Sequence, residues 1–113
     1  MQIGEARQDG VVVISPAGRI DTTTAGALEA RLASALAGPA PRVVVDLSGV
    51  DYISSAGLRI LLVAARRVQA SAGRLALCAM SQPVRQVFQL AGFLPLFTIE
   101  DTRAAAIAGL AVP

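Results

Sequence analysis

The sequence contains no histidine, no tryptophan and no lysine, so all ten of its basic residues are arginines. Without histidine, the chain cannot form a Ser-His-Asp or Cys-His catalytic relay. Without lysine, it has neither the lysine of a Walker A phosphate loop nor an amine for a Schiff base. Its single cysteine, Cys78, excludes an internal disulfide and a zinc site of the usual Cys/His kind. We therefore expect a buried, unreactive thiol in a cytoplasmic protein.

Long apolar runs and strong charge are also absent. The longest stretch without a charged residue, Gln86 to Ile99, is fourteen residues long and contains a glycine and a proline, whereas a membrane span needs about 20 apolar residues. The N-terminus has no basic segment leading into an apolar one, which argues against a secretion signal. The net charge is only +2, with four aromatic residues, so we expect neither membrane insertion nor nucleic-acid binding.

The length of 113 residues, 54% of them hydrophobic, predicts a single domain over residues 1–113. Asp9-Gly10 predicts a hairpin turn between strands at Ile3–Arg7 and Val11–Ile14. A helix is predicted after the Thr22–Thr24 cluster, which offers capping oxygens, and its leucines recur at four-residue spacing. The remaining predicted elements are a strand at Val43–Val45, a turn at Ser48–Asp51, a helix from Ser55 to Gly73, a strand at Leu75–Ala79, a helix from Ser81 to Gly92, a strand at Leu96–Ile99 and a helix capped by Asp101 or Thr102.

Strands that alternate with helices indicate an α/β (α+β) fold. We expect a mixed sheet of four to five strands, parallel after the N-terminal hairpin and flanked by about four helices. Functional side chains on such sheets tend to follow the carboxyl ends of the strands. Five polar residues stand at such positions: Asp21, Asp46, Ser54, Ser55 and Ser81. They are the candidate rim of a functional site.

The Ser54-Ser55 pair at the start of the second helix has two interpretations. One is a helix N-cap, the usual role of serine before an apolar helical run. The other is a phosphoacceptor, because the positive end of the helix dipole favours the negative charge of a phosphate. Arg59 follows Ser55 by four residues on the same helix face and could supply a cation. The local sequence is compatible with both roles.

The segment from Val44 to Arg59, with Ser-Ser-Ala-Gly-Leu-Arg at its end, closely resembles the signature of STAS domains, and in particular of bacterial anti-sigma-factor antagonists. Gly18-Arg19-Ile20-Asp21 followed by Thr24-Ala25, and Cys78 to Ser81 followed by Val84, Phe88 and Gly92, are similar to two further blocks of the family. The three blocks together span nearly the whole chain. The resemblance implies a STAS-like mixed sheet and a regulator of transcription that binds proteins and is not an enzyme.

The resemblance also implies a partner-switching mechanism. In that family the unphosphorylated antagonist binds an anti-sigma factor, often a serine kinase, and releases the sigma factor. A phosphatase reverses the phosphorylation. The family's phosphoserine falls on Ser55 and its helix-one aspartate on Asp21. Together with the rim positions identified above, the expected partner-binding residues are Asp21, Thr22, Asp46, Ser54, Ala56, Gly57, Arg59 and Ser81. No cofactor, no metal and a monomer are implied.

Two positions depart from the Asp-Ser-[Ser/Thr]-Gly form of the best-known antagonists. Ser54 stands in place of the aspartate, and Ala56 in place of the second hydroxyl residue. The first change bears on recognition by the kinase and makes Ser54 an alternative phosphoacceptor. The variant is similar to others within the family.

Two alternative functions remain open from the sequence. One is a STAS adaptor subunit of a stress-sensing complex or of a lipid or anion transporter. The other is nucleotide hydrolysis, with Asp21 and Asp46 holding a metal ion beside Ser55. The absence of lysine and of a glycine-rich phosphate loop argues against the second.

Overall fold

Six strands and four helices make up the computed structural model, which describes residues 1–111. The strands are β1 (Gln2–Gln8), β2 (Val11–Ile20), β3 (Arg42–Asp46), β4 (Val50–Ile53), β5 (Arg74–Cys78) and β6 (Thr98–Glu100). The helices are α1 (Ala25–Ala35), α2 (Ser55–Ala70), α3 (Gln82–Leu90) and α4 (Arg103–Leu110), with a 3-10 turn at Leu94–Leu96. None of the helices in these residues combines the length and the apolar character needed to cross a bilayer.

The main sheet has the strand order β1-β2-β3-β5-β6. β1 and β2 pair antiparallel through a two-residue turn in which Asp9 and Gly10 both have positive φ, of 53° and 77°. This is the backbone that matches the twist of a tight hairpin, and glycine adopts it without steric cost. Every other strand pair is parallel. The predicted fold class is therefore confirmed.

The sheet has six strands, one more than the upper limit of the prediction. The additional strand is β4, which pairs with the C-terminal end of β2 beyond a register shift between Gly18 and Arg19. The sequence prediction of a polar turn over Ser48–Asp51 is wrong in its second half. The turn closes by Val50, whose N–H donates to the Leu47 carbonyl at 3.0 Å, and β4 begins there because Val50 is buried.

Two further boundaries differ from the prediction. The Thr22–Thr24 cluster does not cap α1 with a side chain, because Thr24, the N-cap residue, makes no side-chain cap hydrogen bond. The Asp21 carboxylate accepts from the Thr23 and Thr24 N–H groups in the turn before the helix. The strand predicted at Leu96–Ile99 begins only at Thr98. The 3-10 turn around Pro95 takes Leu96 out of the extended conformation.

The core has two parts, one on each face of the sheet. On the larger face, α1, α2 and α3 pack their apolar sides against alternate residues of β2, β3 and β5. On the other face, α4 packs Ala106, Ile107 and Leu110 against a smaller set that includes Val44 and Cys78. Because α1 follows β2 and α2 follows β4 along the chain, the carboxyl ends of these two paired strands lie next to the first turns of the two helices.

Candidate functional site

The start of α2 is held against the ends of two paired strands. Ile20 of β2 pairs with Ile53 of β4, and the Ser54 N–H donates a hydrogen bond to the Ile20 carbonyl at 2.8 Å. Gly57, in the first turn of α2, is buried between these isoleucines, so closely that a Cβ there would lie 2.6 Å from Ile20 Cγ2. Only glycine allows the helix to approach the strands to this distance. The register places Asp21 and Ser54 directly after neighbouring strand ends.

The two serines at this helix start have different environments. Ser54 is the N-cap, and its Oγ accepts a hydrogen bond from the Gly57 N–H at 3.3 Å. Ser55 is the first residue of α2 and is exposed, and its hydroxyl makes no hydrogen bond within residues 1–111. It lies beside a shallow depression that Ala56, Arg59 and Ile60 also line. The capping role predicted for this pair is confirmed for Ser54, and it leaves the Ser55 hydroxyl free.

Asp21 is the centre of a hydrogen-bonded turn that leads into α1. Its Oδ1 accepts from the Thr23 hydroxyl at 2.7 Å and from the Thr23 N–H at 3.0 Å. These hydrogen bonds, followed by weaker ones from Thr24, hold the pKa of Asp21 below its ordinary value of 3.8. Thr24 completes the turn, because its hydroxyl accepts from the Asp21 N–H at 2.9 Å and donates to the Arg19 carbonyl at 2.8 Å. Asp21 is therefore a fixed, ionised carboxylate at neutral pH.

Arg19 and Tyr52 extend this site and are not among the candidate residues predicted from the sequence. The Arg19 guanidinium lies over the Tyr52 ring, 4.1 Å from its centroid, and its Nε is 3.7 Å from Asp21 Oδ2. The two residues are register partners on β2 and β4. Local sequence gives no signal for this pair, because Arg19 and Tyr52 meet only through the pairing of β2 with β4.

Asp46 is not part of this site, contrary to the prediction that groups it with Ser55. It is buried at the end of β3 on the face that α4 covers, where its Oδ1 accepts from the Ser48 N–H at 2.9 Å. Its Oδ2 lies 3.5 Å from Arg103 Nη1. The physical reason is strand alternation, since Asp46 shares its face with Val44 and with its register partner Cys78. Two carboxylates do not converge on Ser55, so the metal-dependent hydrolysis considered above has no support here.

The other predicted contact residues divide into three groups. Thr22 is exposed beside Asp21, and Ala56 and Arg59 lie on α2 next to Ser55. Gly57 is buried and acts through packing, so it offers no surface to a partner. Ser81 is the N-cap of α3 at the end of β5, and its Oγ accepts from the Val84 N–H at 3.4 Å. No cluster of three or more acidic, cysteine or histidine side chains that could hold a metal ion occurs within residues 1–111.

Cys78 lies in the interior of the sheet, as predicted. It is fully buried, and burial followed by the nearby Asp46 charge raises the pKa of its thiol to about 11, against a smaller opposite effect of Arg103. A thiol with this pKa is almost entirely protonated at neutral pH. It therefore has no nucleophilic role in the site.

Known proteins with similar sequences and structures support the same architecture. The sequence model of the STAS domain matches residues 4–106. BtrV of Bordetella bronchiseptica, named as an anti-sigma factor antagonist, is 39% identical over 108 residues, which cover 96% of this chain and 93% of BtrV. RsfB of Mycobacterium tuberculosis, named as an anti-sigma-F factor antagonist, is 31% identical over 93% of this chain and 85% of RsfB.

A solved structure gives the same result. The crystal structure of an anti-sigma factor antagonist from Mycobacterium paratuberculosis superimposes with a TM-score of 0.87 at 30% identity, covering 96% of this chain and 92% of that one. The family match and the structural match both cover nearly the whole chain. The chain therefore belongs to the STAS domain family.

Proposed function

We propose that this protein is an anti-sigma factor antagonist, acting in the cytoplasm through binding and not through catalysis. In its unphosphorylated form it binds an anti-sigma factor that is also a serine kinase, and the sigma factor is released. Phosphorylation of Ser55 ends the interaction, and a serine phosphatase restores it. The observation that carries the proposal is the exposed Ser55 hydroxyl in the first turn of α2, which makes no hydrogen bond within residues 1–111 and follows a strand end that neighbours the one before Asp21.

The choice of Ser55 over Ser54 as phosphoacceptor rests on their hydrogen bonds. The Ser54 hydroxyl caps α2, and phosphorylation there would replace a cap on which the helix start depends. The Ser55 hydroxyl is exposed and makes no hydrogen bond within residues 1–111, so phosphorylation there breaks no contact of the helix. A kinase can therefore reach Ser55 without unfolding the helix, and Ser54 is the alternative acceptor only in a frayed first turn.

The proposed modification is an ordinary phosphoryl transfer. The Ser55 oxygen forms a bond to the γ-phosphorus of ATP, the bond from that phosphorus to the bridging oxygen breaks, ADP leaves and the hydroxyl proton is released. The phosphatase removes the phosphate by hydrolysis: water attacks the phosphorus, the bond from phosphorus to the Ser55 oxygen breaks, and the serine hydroxyl and inorganic phosphate are left. ATP and its magnesium ion belong to the kinase, so the antagonist needs no nucleotide site of its own.

The effect on binding follows from charge. A phosphate adds about 1.5 to 2 negative charges at neutral pH. The N–H groups and dipole of α2 accommodate that charge, so the fold is preserved. A partner that buries this surface must desolvate the phosphate and bring its own carboxylates close to it. A loss of about 3 to 4 kcal/mol in binding free energy would weaken the complex roughly several hundredfold.

Asp21 contributes to the same surface. Its carboxylate is held by the Thr23 and Thr24 hydrogen bonds beside the Ser55 end of α2, with Thr22 exposed next to it. In the unphosphorylated form, a single fixed negative charge is available to a donor of the partner. A phosphate on Ser55 adds a second, larger negative charge nearby, which changes the charge pattern that the partner meets.

The proposal is tested by measuring binding directly. The anti-sigma factor of the same cell is purified and titrated by calorimetry with wild-type protein, Ser55→Ala and Ser55→Glu. We expect Ser55→Ala to bind like the wild type and to stay bound in the presence of ATP, and Ser55→Glu to bind much more weakly. Gln82→Glu is the matched control, because it adds one negative charge at the exposed first position of another helix, α3.

Three results would contradict this function. Equal affinity of Ser55→Ala and Ser55→Glu would remove the switch from Ser55. An equal loss of affinity in Gln82→Glu would attribute the effect to net charge. Capture from a lysate of a transporter ATPase held equally by wild type and Ser55→Glu would identify an adaptor subunit instead.

A further inference from the structure

Helix α2 carries an uncompensated basic surface. Its sixteen residues include Arg59, Arg66 and Arg67 and no acidic residue. All three arginines are exposed, and none forms an ion pair within residues 1–111, where the ion pairs involve Arg19, Arg31 and Arg103. Arginine has a high affinity for carboxylates because its guanidinium binds both oxygens at once. These arginines are therefore available to carboxylates of a partner, because no carboxylate within residues 1–111 pairs with them.

An apolar groove runs beside these arginines, between α1 and α2. Its floor and walls are formed by Leu32, Leu36, Ile60, Val63 and Ala64, and Glu29 and Arg67 lie at its edges. Val63 is 55% exposed, so its side chain adds accessible apolar surface to the groove. The groove thus offers apolar contacts to a side chain from outside, bordered by charges.

The phosphoacceptor lies at one end of the same surface. Ser55, Arg59, Val63 and Arg66 are spaced by four, four and three residues, which places them along one side of the helix. At a rise of about 1.5 Å per residue, this line is roughly 16 Å long. A partner segment that lies along it would contact both the arginines and Ser55.

We propose that this surface, formed by the exposed side of α2 and the α1–α2 groove, binds an acidic amphipathic segment of the anti-sigma factor. Apolar side chains of the segment occupy the groove, and its carboxylates pair with Arg59, Arg66 and Arg67. The inference rests on the proposed function and adds the chemistry of the partner. Charge complementarity identifies the occupant, because the surface is basic along its length and apolar along one side.

Other occupants fit the surface less well. A second copy of the chain would place arginines of one α2 against arginines of the other. A lipid bilayer would meet Val63 as the one exposed large apolar side chain of α2 and no aromatic residue of this helix. An acidic helix is the partner that uses the groove and the arginines together.

Arg59 connects this surface to phosphorylation. A phosphate on Ser55 would precede Arg59 by four residues, the order in which an acidic and a basic residue pair best on a helix. The phosphate then draws the Arg59 guanidinium away from the carboxylates of the partner. Phosphorylation weakens the complex by occupying one of its contacts as well as by adding charge.

The experiment compares charge reversals with a matched control, using the full chain and the purified anti-sigma factor in calorimetry. The double variant Arg66→Glu/Arg67→Glu should weaken binding by about tenfold or more, and the neutral Arg66→Gln/Arg67→Gln by less. Val63→Ser should also weaken binding, without loss of thermal stability, because that side chain is mostly exposed. Arg85→Glu, at an exposed arginine of α3 without an ion pair among residues 1–111, should bind within about twofold of the wild type.

The salt dependence of the affinity is an independent test of the proposed ion pairs. The affinity of the wild type should fall as sodium chloride is raised, and the double glutamine variant should show a shallower dependence, because fewer charges are paired. The glutamine variant also guards against misfolding, since it places no acid near the C-terminal end of α2.

The possible outcomes separate this inference from the function on which it rests. In one outcome the wild type binds, Ser55→Glu binds weakly, and the α2 reversal, Arg66→Glu/Arg67→Glu, binds like the wild type. The basic surface is then not the docking site, while the proposed function stands. If Arg85→Glu loses as much affinity as the α2 reversal, net charge is responsible and the inference is wrong. If the wild type does not bind the anti-sigma factor, both proposals fail. A wild-type dimer that the α2 reversal dissociates, seen by sedimentation, would assign the surface to a second copy and overturn the acidic partner.

Discussion

Replacing Gly57 by alanine is the most direct test of how α2 is positioned. A Cβ at this position would lie 2.6 Å from Ile20 Cγ2 and 2.8 Å from Ile53 Cγ1, below the 3.0 Å that real Cβ contacts keep. Both isoleucines are fully buried, and their Cβ-branched side chains are confined by the surrounding core. The clash cannot be relieved by a side chain swinging into solvent. The first turn of α2 has to move away from the ends of β2 and β4.

The magnitude comes from two opposing effects. Overpacking a closed core costs about 1 to 3 kcal/mol. Alanine in place of glycine within a helix gains up to about 1 kcal/mol. The expected net result is a loss of about 1 kcal/mol in the free energy of unfolding, which for a domain of this size lowers Tm by about 4 °C.

Two other helical glycines provide controls in which the clash is absent. An added Cβ at Gly26 in α1 or at Gly109 in α4 meets no atom within 4 Å. Alanine at either position should therefore stabilise the protein, by about 0.5 to 1 kcal/mol. The difference between Gly57→Ala and these controls isolates the packing cost. Urea unfolding of the three variants measures it, and a Gly57→Ala protein as stable as the controls would refute the close approach of α2 to the strands.

Three further predictions concern single side chains. Ser54→Ala should lower the free energy of unfolding by about 1 kcal/mol through loss of the α2 cap, while Ser55→Ala, which removes an unbonded hydroxyl, should leave stability nearly unchanged in the same urea titration. Because hydrogen bonds lower the pKa of folded Asp21, its ionised form stabilises the fold above the pKa of the unfolded chain, and this contribution is lost as the pH falls through the folded pKa. The destabilisation caused by Asp21→Asn should therefore shrink between about pH 5 and pH 2, and a constant difference over that range would contradict the hydrogen-bonded carboxylate. Cys78, with its pKa raised to about 11 by burial, should react with iodoacetamide at pH 8 at least about a hundredfold more slowly in the native protein than in urea, followed by mass spectrometry.

The sequence predicts the parallel part of the fold well because its signals are strong and local. The β-branched runs at Val11–Ile14 and Val43–Val45 are fully buried strands, and such strands need no alternation of polar and apolar residues to be recognised. Asp9-Gly10 has the residue types that a tight hairpin turn requires, and both adopt positive φ. Ser81 and Pro83 predict the start of α3, where Ser81 caps the helix.

The errors have a common physical origin, which is that tertiary pairing decides between local alternatives. β4 has only four residues, and its two central ones, Asp51 and Tyr52, are exposed, so its sequence resembles a loop. It becomes a strand because β2 extends past β3 and leaves its last residues free to pair. This pairing, invisible from local sequence, is also what brings Arg19 and Tyr52 together.

The grouping of Asp46 with Ser55 fails for a related reason. The position of a residue at the end of a strand is readable from the sequence, but the face on which its side chain lies depends on register. Asp46 points with Val44 and Cys78 toward α4, where Arg103 compensates its charge. Asp21 and Ser55 do lie close to neighbouring strand ends, because the pairing of Ile20 with Ile53 fixes the backbone that precedes both residues.

The rigidity of the α2 start determines what kind of switch Ser55 can operate. Three independent contacts hold this turn: the Ser54 cap, the Ser54 N–H bound to the Ile20 carbonyl, and the packing of Gly57 on two isoleucines. A phosphate on Ser55 disturbs none of them, and the helix dipole and Arg59 both favour it. Since these three contacts stay in place, a phosphate on Ser55 gives the first turn of α2 no energetic reason to change its backbone conformation. The switch that we propose would therefore act on the surface that a partner meets, through charge and through the availability of Arg59, and binding measurements are more informative about it than a comparison of the two backbones.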